Sequence, residues 1–299
     1  MQDQLIKALA FDNQIRVVIL QARQAVQEAC SRHDTWHTAS AVLGRTMIAS
    51  LLMASNLKGA DRQVVEVKGS GPVGRVVAEV NANNQIRAYI DGAHVALELN
   101  PLGKIDVAGA VGLPGQLTVK KYIEQLDPYT GQVDLVSGEL GEDFTYYMAA
   151  SEQTPSAFGL SVLVNADESI QSAGGFMIQV MPGTSEETIG YLEARLGQID
   201  HLAQLFDQAN DLEEVLSHIL ETDNYKVLAR EDLSFYCPCS KEEFALSLQL
   251  LDSDTLNEMK DEDHGAEVVC HYCGETYSFS EKDLIEILDK KEEEGKDFK

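Results

Sequence analysis

Cys237-Pro238-Cys239, then thirty residues, then Cys270-His271-Tyr272-Cys273-Gly274: this stretch gathers four of the five cysteines of a 299-residue chain into 37 consecutive positions. Zinc takes four soft ligands in a tetrahedron at about 2.3 Å, and a Cys-x2-Cys knuckle closed by glycine supplies two of them. The Cys-x-Cys pair supplies the other two if the intervening segment folds back. The spacing predicts a closed, structural four-cysteine zinc site formed by Cys237, Cys239, Cys270 and Cys273.

Two alternatives stand beside that reading: two unrelated thiol pairs, or a disulfide framework. The chain opens on Met1-Gln-Asp-Gln, with an acid where a secretory signal would carry bases, and no seven-residue apolar run follows. A cytoplasmic protein is therefore expected. Thiols there stay reduced, so clustered cysteines serve metals or redox chemistry more often than structural bridges. The pair Cys237/Cys239 could join only through a small, strained ring, and such a bond is readily reduced again. The thiolates could thus act as a switch, although spacing alone does not show it.

The composition is that of a globular protein, 44% apolar and 24% charged. No apolar run approaches the roughly 20 residues of a membrane span, so no membrane partner is expected. Net charge is −26 and unevenly placed: 19 acids face 13 bases in 1–183, and 30 face 10 in 184–299. A field of that sign repels phosphate backbones, which excludes nucleic acid as a partner of the C-terminal third. That third also repels itself and is expected to lean on its metal.

The pattern predicts an α+β protein. A mixed α/β core domain spans 1–183, an amphipathic helical linker 184–232, and a small four-cysteine zinc domain 233–299. Within the first, 15–20 is a β-branched run followed by a helix over 21–32, whose inner face carries Cys30 as a packed core thiol. Residues 39–57 form a helix with almost no polar face, which must be buried. Strands are expected at 63–68, 74–81, 85–91, 116–121, 132–136, 155–164 and 173–183, with a Gly/Pro-punctuated loop over 100–116 and a short helix over 141–151.

His33 and His37 would make a metal pair only on one helix, and Asp34-Thr35 starts a new one between them. Gly69-Ser-Gly71-Pro-Val-Gly74 matches a dinucleotide fingerprint, with Asp91 twenty residues beyond Gly71. That fingerprint should open a helix, whereas Pro72 and a β-branched strand follow, so a turn is expected.

From Thr184 the pattern turns helical. Thr184-Ser-Glu-Glu187 is a capping box, and Ile189, Leu192, Leu196, Ile199, Leu202 and Leu205 form one stripe. A second helix starts near Asp211, with Val215, Leu216, Ile219 and Leu220 inward. These helices need a surface to lie on, most simply the first domain, and they could uncover it. Ser240-Lys-Glu-Glu243 opens a helix between the cysteine pairs, and 268–279 is a hairpin turning at the second knuckle. A last helix from Ser280 gives way to a charged, disordered tail over 290–299. His264 and His271 fall outside a shell already filled by four thiolates.

Cys-x-Cys, thirty residues and Cys-x2-Cys at the C-terminus, together with Ser151-Glu-Gln-Thr-Pro-Ser156 and Gly174-Gly-Phe-Met-Ile-Gln-Val-Met-Pro-Gly183, resemble the bacterial redox-regulated 33-kilodalton heat-shock chaperone family. The likeness runs over essentially the whole chain. It implies an ATP-independent holdase for unfolding client proteins, inactive as a zinc-bound, reduced monomer. It implies that hypochlorous acid, or peroxide with heat, links Cys237 to Cys239 and Cys270 to Cys273. Zinc is then lost, the linker and switch domain unfold, and homodimers form. Clients later pass to the ATP-dependent chaperone system. Which surface grips clients is not readable from the residues.

A folded zinc-ribbon adaptor would instead need zinc for binding and fade on oxidation. An enzyme is disfavoured: a catalytic zinc keeps an open position, and no P-loop, Gly-x-Ser-x-Gly or His-Glu-x-x-His is present.

Overall fold

The computed structural model describes residues 2–199 and 201–297, the side chains of 292–297 excepted. It forms two compact units, Met1–Tyr236 and Cys237–Lys299. The first unit begins with the hairpin β1 (Gln4–Ala10) and β2 (Ile15–Gln21), the helices α1 (Arg23–His33) and α2 (His37–Ala54), and the meander β3 (Arg62–Lys68), β4 (Arg75–Asn81) and β5 (Gln85–Ile90). The short helix α3 (Val107–Val111), β6 (Gln116–Tyr122), β7 (Tyr129–Asp134), α4 (Gly141–Ala150), β8 (Ser156–Val164) and β9 (Ile170–Val180) follow. Three helices, α5 (Glu186–Leu196), α6 (Leu202–Gln208) and α7 (Leu212–Leu220), lead to the strands β10 (Tyr225–Asp232) and β11 (Ser234–Phe235).

These strands make two sheets, in the orders β10-β1-β2-β9-β8 and β11-β5-β4-β3-β6-β7. Helix α2 packs against strands of both, and only His37, Arg45 and Met53 of its eighteen residues escape full burial. A helix buried all round needs no polar stripe. Its hydroxyls stay satisfied along the helix: Thr46 donates to the Val42 carbonyl (2.9 Å) and Ser50 to that of Thr46 (2.7 Å).

The first sheet is covered on its other face as well. Ile6, Ile15, Val17, Ile19, Phe176 and Ile178 meet Leu192, Phe206, Leu212, Val215, Leu216 and Ile219 of α5–α7 in a second core. Burial on both faces is why 173–178 reads as an unbroken apolar run instead of alternating. The capped, amphipathic α7 fits its sequence: Asp211 accepts from the Glu214 amide (2.9 Å), and five apolar residues point inward.

A close fit in this layer is Phe206 over Gly174. A Cβ at position 174 would stand 2.4 Å from the Phe206 ring and 2.9 Å from the Leu20 carbonyl oxygen. Gly174→Ala is therefore expected to destabilise the reduced protein by about 1–3 kcal/mol, as overpacked cores do. Urea unfolding of the two proteins measures it, and an unchanged midpoint would show that the helical layer gives way freely.

Several expectations are revised. The stripe 189–205 is broken into α5 and α6, because the chain leaves the helix at Gly197. Neither β1 nor β10 was foreseen, 100–116 contains α3, and β7 lies at Tyr129–Asp134 instead of 132–136. The glycine turn is structural: Gly71 donates to Val111 (2.8 Å) and Val73 to Ala110 (3.2 Å) of α3, so close that a Cβ on Gly71 would meet the Ala110 oxygen at 2.3 Å. No room is left there for a phosphate. Cys30 is a core thiol, 3% exposed, and burial pushes its pKa up. His33 faces the Ala88 carbonyl and His37 faces Glu168, so they form no pair.

The second unit contains α8 (Lys241–Leu248), α9 (Ser253–Asp261), the hairpin β12 (Gly265–Val269) and β13 (Thr276–Ser280), and α10 (Glu281–Asp297). Helix α9 is additional to the expected elements. Helix α10 continues through Asp297, so residues 290–297 are helical instead of a loose tail, and 298–299 lie outside the described residues. Among described residues, no helix is long and apolar enough to cross a membrane.

Candidate metal centre

Among the described residues the second unit has a small core of Leu248, Leu256, Phe279, Leu284 and Ile287. Two local devices set the cysteines around one edge of it. Ser240 caps α8 by accepting from the Glu243 amide (3.2 Å), which fixes the extended Cys237-Pro238-Cys239 run just ahead of the helix. At the hairpin tip the Cys270 amide donates to Glu275 (2.9 Å) and the Gly274 amide to the Cys270 carbonyl (2.8 Å). That turn needs the positive φ of Gly274, +70°, which explains the glycine closing the knuckle.

The outcome is a cluster in which the four sulfurs of Cys237, Cys239, Cys270 and Cys273 all lie within 4.8 Å of one another. Two contacts cross between the knuckles, Cys239 to Cys273 at 3.3 Å and Cys237 to Cys270 at 3.7 Å. A tetrahedron of sulfurs about 2.3 Å from a zinc ion has edges of about 3.8 Å, so the set has the right size for one ion. Cys270 and Cys273 are 5% exposed, and the other two are half-buried. Burial pushes the Cys273 and Cys239 thiols up. A divalent cation among them offsets that penalty and makes thiolates the stable form. Donor type, number and spacing therefore fit a metal ion.

Tyr277 supports the cluster from β13, a role the cysteine spacing does not reveal. Its hydroxyl donates to the Cys239 carbonyl (3.0 Å) and lies 3.4 Å from the Cys239 sulfur, while its ring packs on Phe244. Groups that orient ligands tune affinity, typically 10–100-fold. Tyr277→Phe should weaken metal retention by about that factor in a chelator titration, with the second unit still folded. Unchanged retention would make the hydroxyl a bystander. The two histidines lie outside the cluster: His264 pairs with Glu281 (2.6 Å), and His271 is exposed on the knuckle.

The hairpin is tied to α10 by Asp283, which accepts from the Ser280 amide (2.8 Å) and from Lys241 (3.0 Å). These bonds hold its carboxyl down at about 2, from 3.8. A depressed carboxylate contributes stability above its unfolded pKa and loses it as pH falls through the folded one. At neutral pH that contribution is fully present, so urea unfolding of the metal-loaded protein, followed by circular dichroism, should lose the second unit at lower denaturant in Asp283→Asn than in the wild type. Coincident curves would contradict the assignment.

Comparison with known proteins assigns this α+β body and four-thiol unit to a family. The family model described as "Hsp33 protein" matches residues 3–280. The chain is 48% identical over 290 residues to the 33 kDa chaperonin of Enterococcus faecalis, covering 97% of each. It is 45% identical over 292 residues to that of Shouchella clausii, covering 98% of this chain and 99% of the relative. The crystal structure of the 33 kDa chaperonin (heat shock protein 33 homolog) of Thermotoga maritima superposes with a TM-score of 0.89 at 34% identity, covering 98% of this chain and all of that one. The chain belongs to the Hsp33 protein family.

Proposed function

We propose that this Hsp33-type chaperone is a redox-regulated, ATP-independent holdase, with residues 1–183 as its chaperone core, 184–232 as linker and 233–299 as switch. The observation that carries the reading is the cluster of four sulfurs in a unit with a very small core. Cys237, Cys239, Cys270 and Cys273 would hold one zinc ion in the reduced form. When bound, zinc keeps the sulfurs as thiolates and contributes folding energy on the order of 10 kcal/mol.

Thiolates are also the nucleophilic form of cysteine, so the centre presents four of them to an oxidant at neutral pH. By the family resemblance the products are Cys237–Cys239 and Cys270–Cys273. Each bond forms from two thiolates that give two electrons to one peroxide, which takes two protons and leaves as two waters. With both bonds made, no thiolate ligand remains. The acidic second unit then loses its main support, and the linker layer lying on Ile6, Ile15, Val17, Phe176 and Ile178 can come away. Exposed apolar surface of that kind holds unfolding clients.

The same reading makes the protein a cytoplasmic, non-enzymatic chaperone without nucleic-acid or membrane partners. It is a monomer when reduced and a homodimer when oxidised, and it passes clients to an ATP-dependent system. Peptide mapping of the peroxide-treated protein tests the pairing. Near-neighbour bonds within each knuckle are expected. Cross-knuckle bonds, Cys239–Cys273 or Cys237–Cys270, would contradict it, and those pairs lie 3.3 and 3.7 Å apart in the reduced cluster.

A further inference from the structure

The segment between the helical layer and the cysteines is built as an edge cover. Strand β10 lies antiparallel on β1, from Gln4 opposite Asp232 to Ala10 opposite Tyr225. Strand β11 then runs parallel beside β5, and the Tyr236 amide donates to Ile86 (2.9 Å). Residues 225–236 thus close one edge of each sheet in the first unit, and the next residue is Cys237.

The two paired strands differ in kind. In Tyr-Lys-Val-Leu-Ala-Arg-Glu-Asp, β10 carries four charges in eight residues, the sort of outer strand that soluble proteins show to water. Underneath, β1 is Gln-Leu-Ile-Lys-Ala-Leu-Ala, seven residues with one charge. Uncovered, it presents a long, apolar row of unpaired amides and carbonyls, a ready template for another strand. Glu231 holds the cover in place, bonded to Lys7 of β1 (2.6 Å) and to Asn84 in the β4–β5 turn (2.9 Å).

We propose that the β1 edge, once β10 has left it, takes an extended segment of an unfolding client by strand addition. The inference rests on the redox reading above, which supplies the release of 225–236. The seat itself shows what fits. Along β10, Tyr225, Val227, Ala229 and Glu231 are half-buried while Lys226, Leu228, Arg230 and Asp232 are exposed, and Tyr225 and Val227 join the second core. The occupant is a run of about seven residues with apolar side chains at every second position, the period of a half-buried strand. Main-chain hydrogen bonds supply the affinity in such additions, and alternate side chains the selectivity. Every unfolding protein can offer extended backbone, so this mode accepts clients of unrelated sequence.

The test uses the full oxidised chain holding a labelled, permanently unfolded client, reduced and carboxymethylated lactalbumin. Because the ladder is bulged at Leu228, three competitors are compared: the octapeptide of residues 225–232, and two twins N-methylated at 226, 229 and 231 or at 225, 227, 230 and 232, the two alternating sets that the register sets opposite β1. Only one set of amides in an added strand points at its neighbour. The plain peptide and one twin should displace the client, and the other twin should need at least tenfold more. Equal twins, or no displacement at saturation, would assign client binding to apolar faces and overturn the proposal. Conversion of dimer to monomer with the client retained would assign the edge to a second copy, and also overturn it. An oxidised chain that holds no client before peptide is added would instead bring down the redox reading itself.

Discussion

Replacing Cys270 by serine is expected to leave 237–299 unfolded in reducing, zinc-containing buffer, while residues 1–183 keep their fold. The second unit has five buried apolar side chains among described residues and carries 18 acids against 7 bases. Hydrophobic burial of that size supplies a few kcal/mol at about 25 cal/mol per Å², little against the chain entropy of some sixty residues. A structural zinc site contributes on the order of 10 kcal/mol, so losing one of four ligands removes the largest favourable contribution. The core between the two sheets belongs to residues 1–183 almost entirely and does not draw on that energy. Hydrogen exchange read by mass spectrometry separates the two. Wild-type protection in 265–280 of the variant would mean that the hairpin stands without its metal.

The second large effect concerns the helical layer. Phe206 is 1% exposed, and its ring fills the space left by Gly174. Phe206→Ala should cost about 3–5 kcal/mol through lost burial and a cavity. Because the ring joins α6 to β9, that loss falls on the interface that the redox reading requires to open. The variant should therefore suppress client aggregation at lower peroxide and lower temperature than the wild type, while its zinc content when reduced stays at one per chain. A variant confirmed as destabilised yet with unchanged oxidant dependence would detach the helical layer from the switch.

The cysteine site was legible because its information is local. Spacing and a closing glycine are written in adjacent residues, and the folded hairpin brings the four sulfurs together. The strands at 62–90 were legible too, since alternation and the turn at Asn81–Asn84 mark them. Strand β10 was not: its charges mask the alternation, and its partner β1 lies at the opposite end of the first unit, so no local pattern records the pairing. The single stripe over 189–205 concealed the break at Gly197, because the apolar period continues across it while the backbone does not. Tyr277 escaped notice for another reason. It acts through a hydroxyl aimed at Cys239, and that aim exists only once β13 has paired with β12.

The central claim is that oxidation of four thiols turns a folded chaperone into a binding one. Aggregation of a thermally unfolding client should be followed in one tube with the zinc-responsive absorbance of a chelating dye, with this protein either reduced and zinc-loaded or treated with peroxide at elevated temperature. The expected result is suppression only after oxidation, rising in step with release of one zinc per chain. Suppression by the reduced form alone, or by neither form, would contradict the account and leave a folded zinc adaptor as the better description.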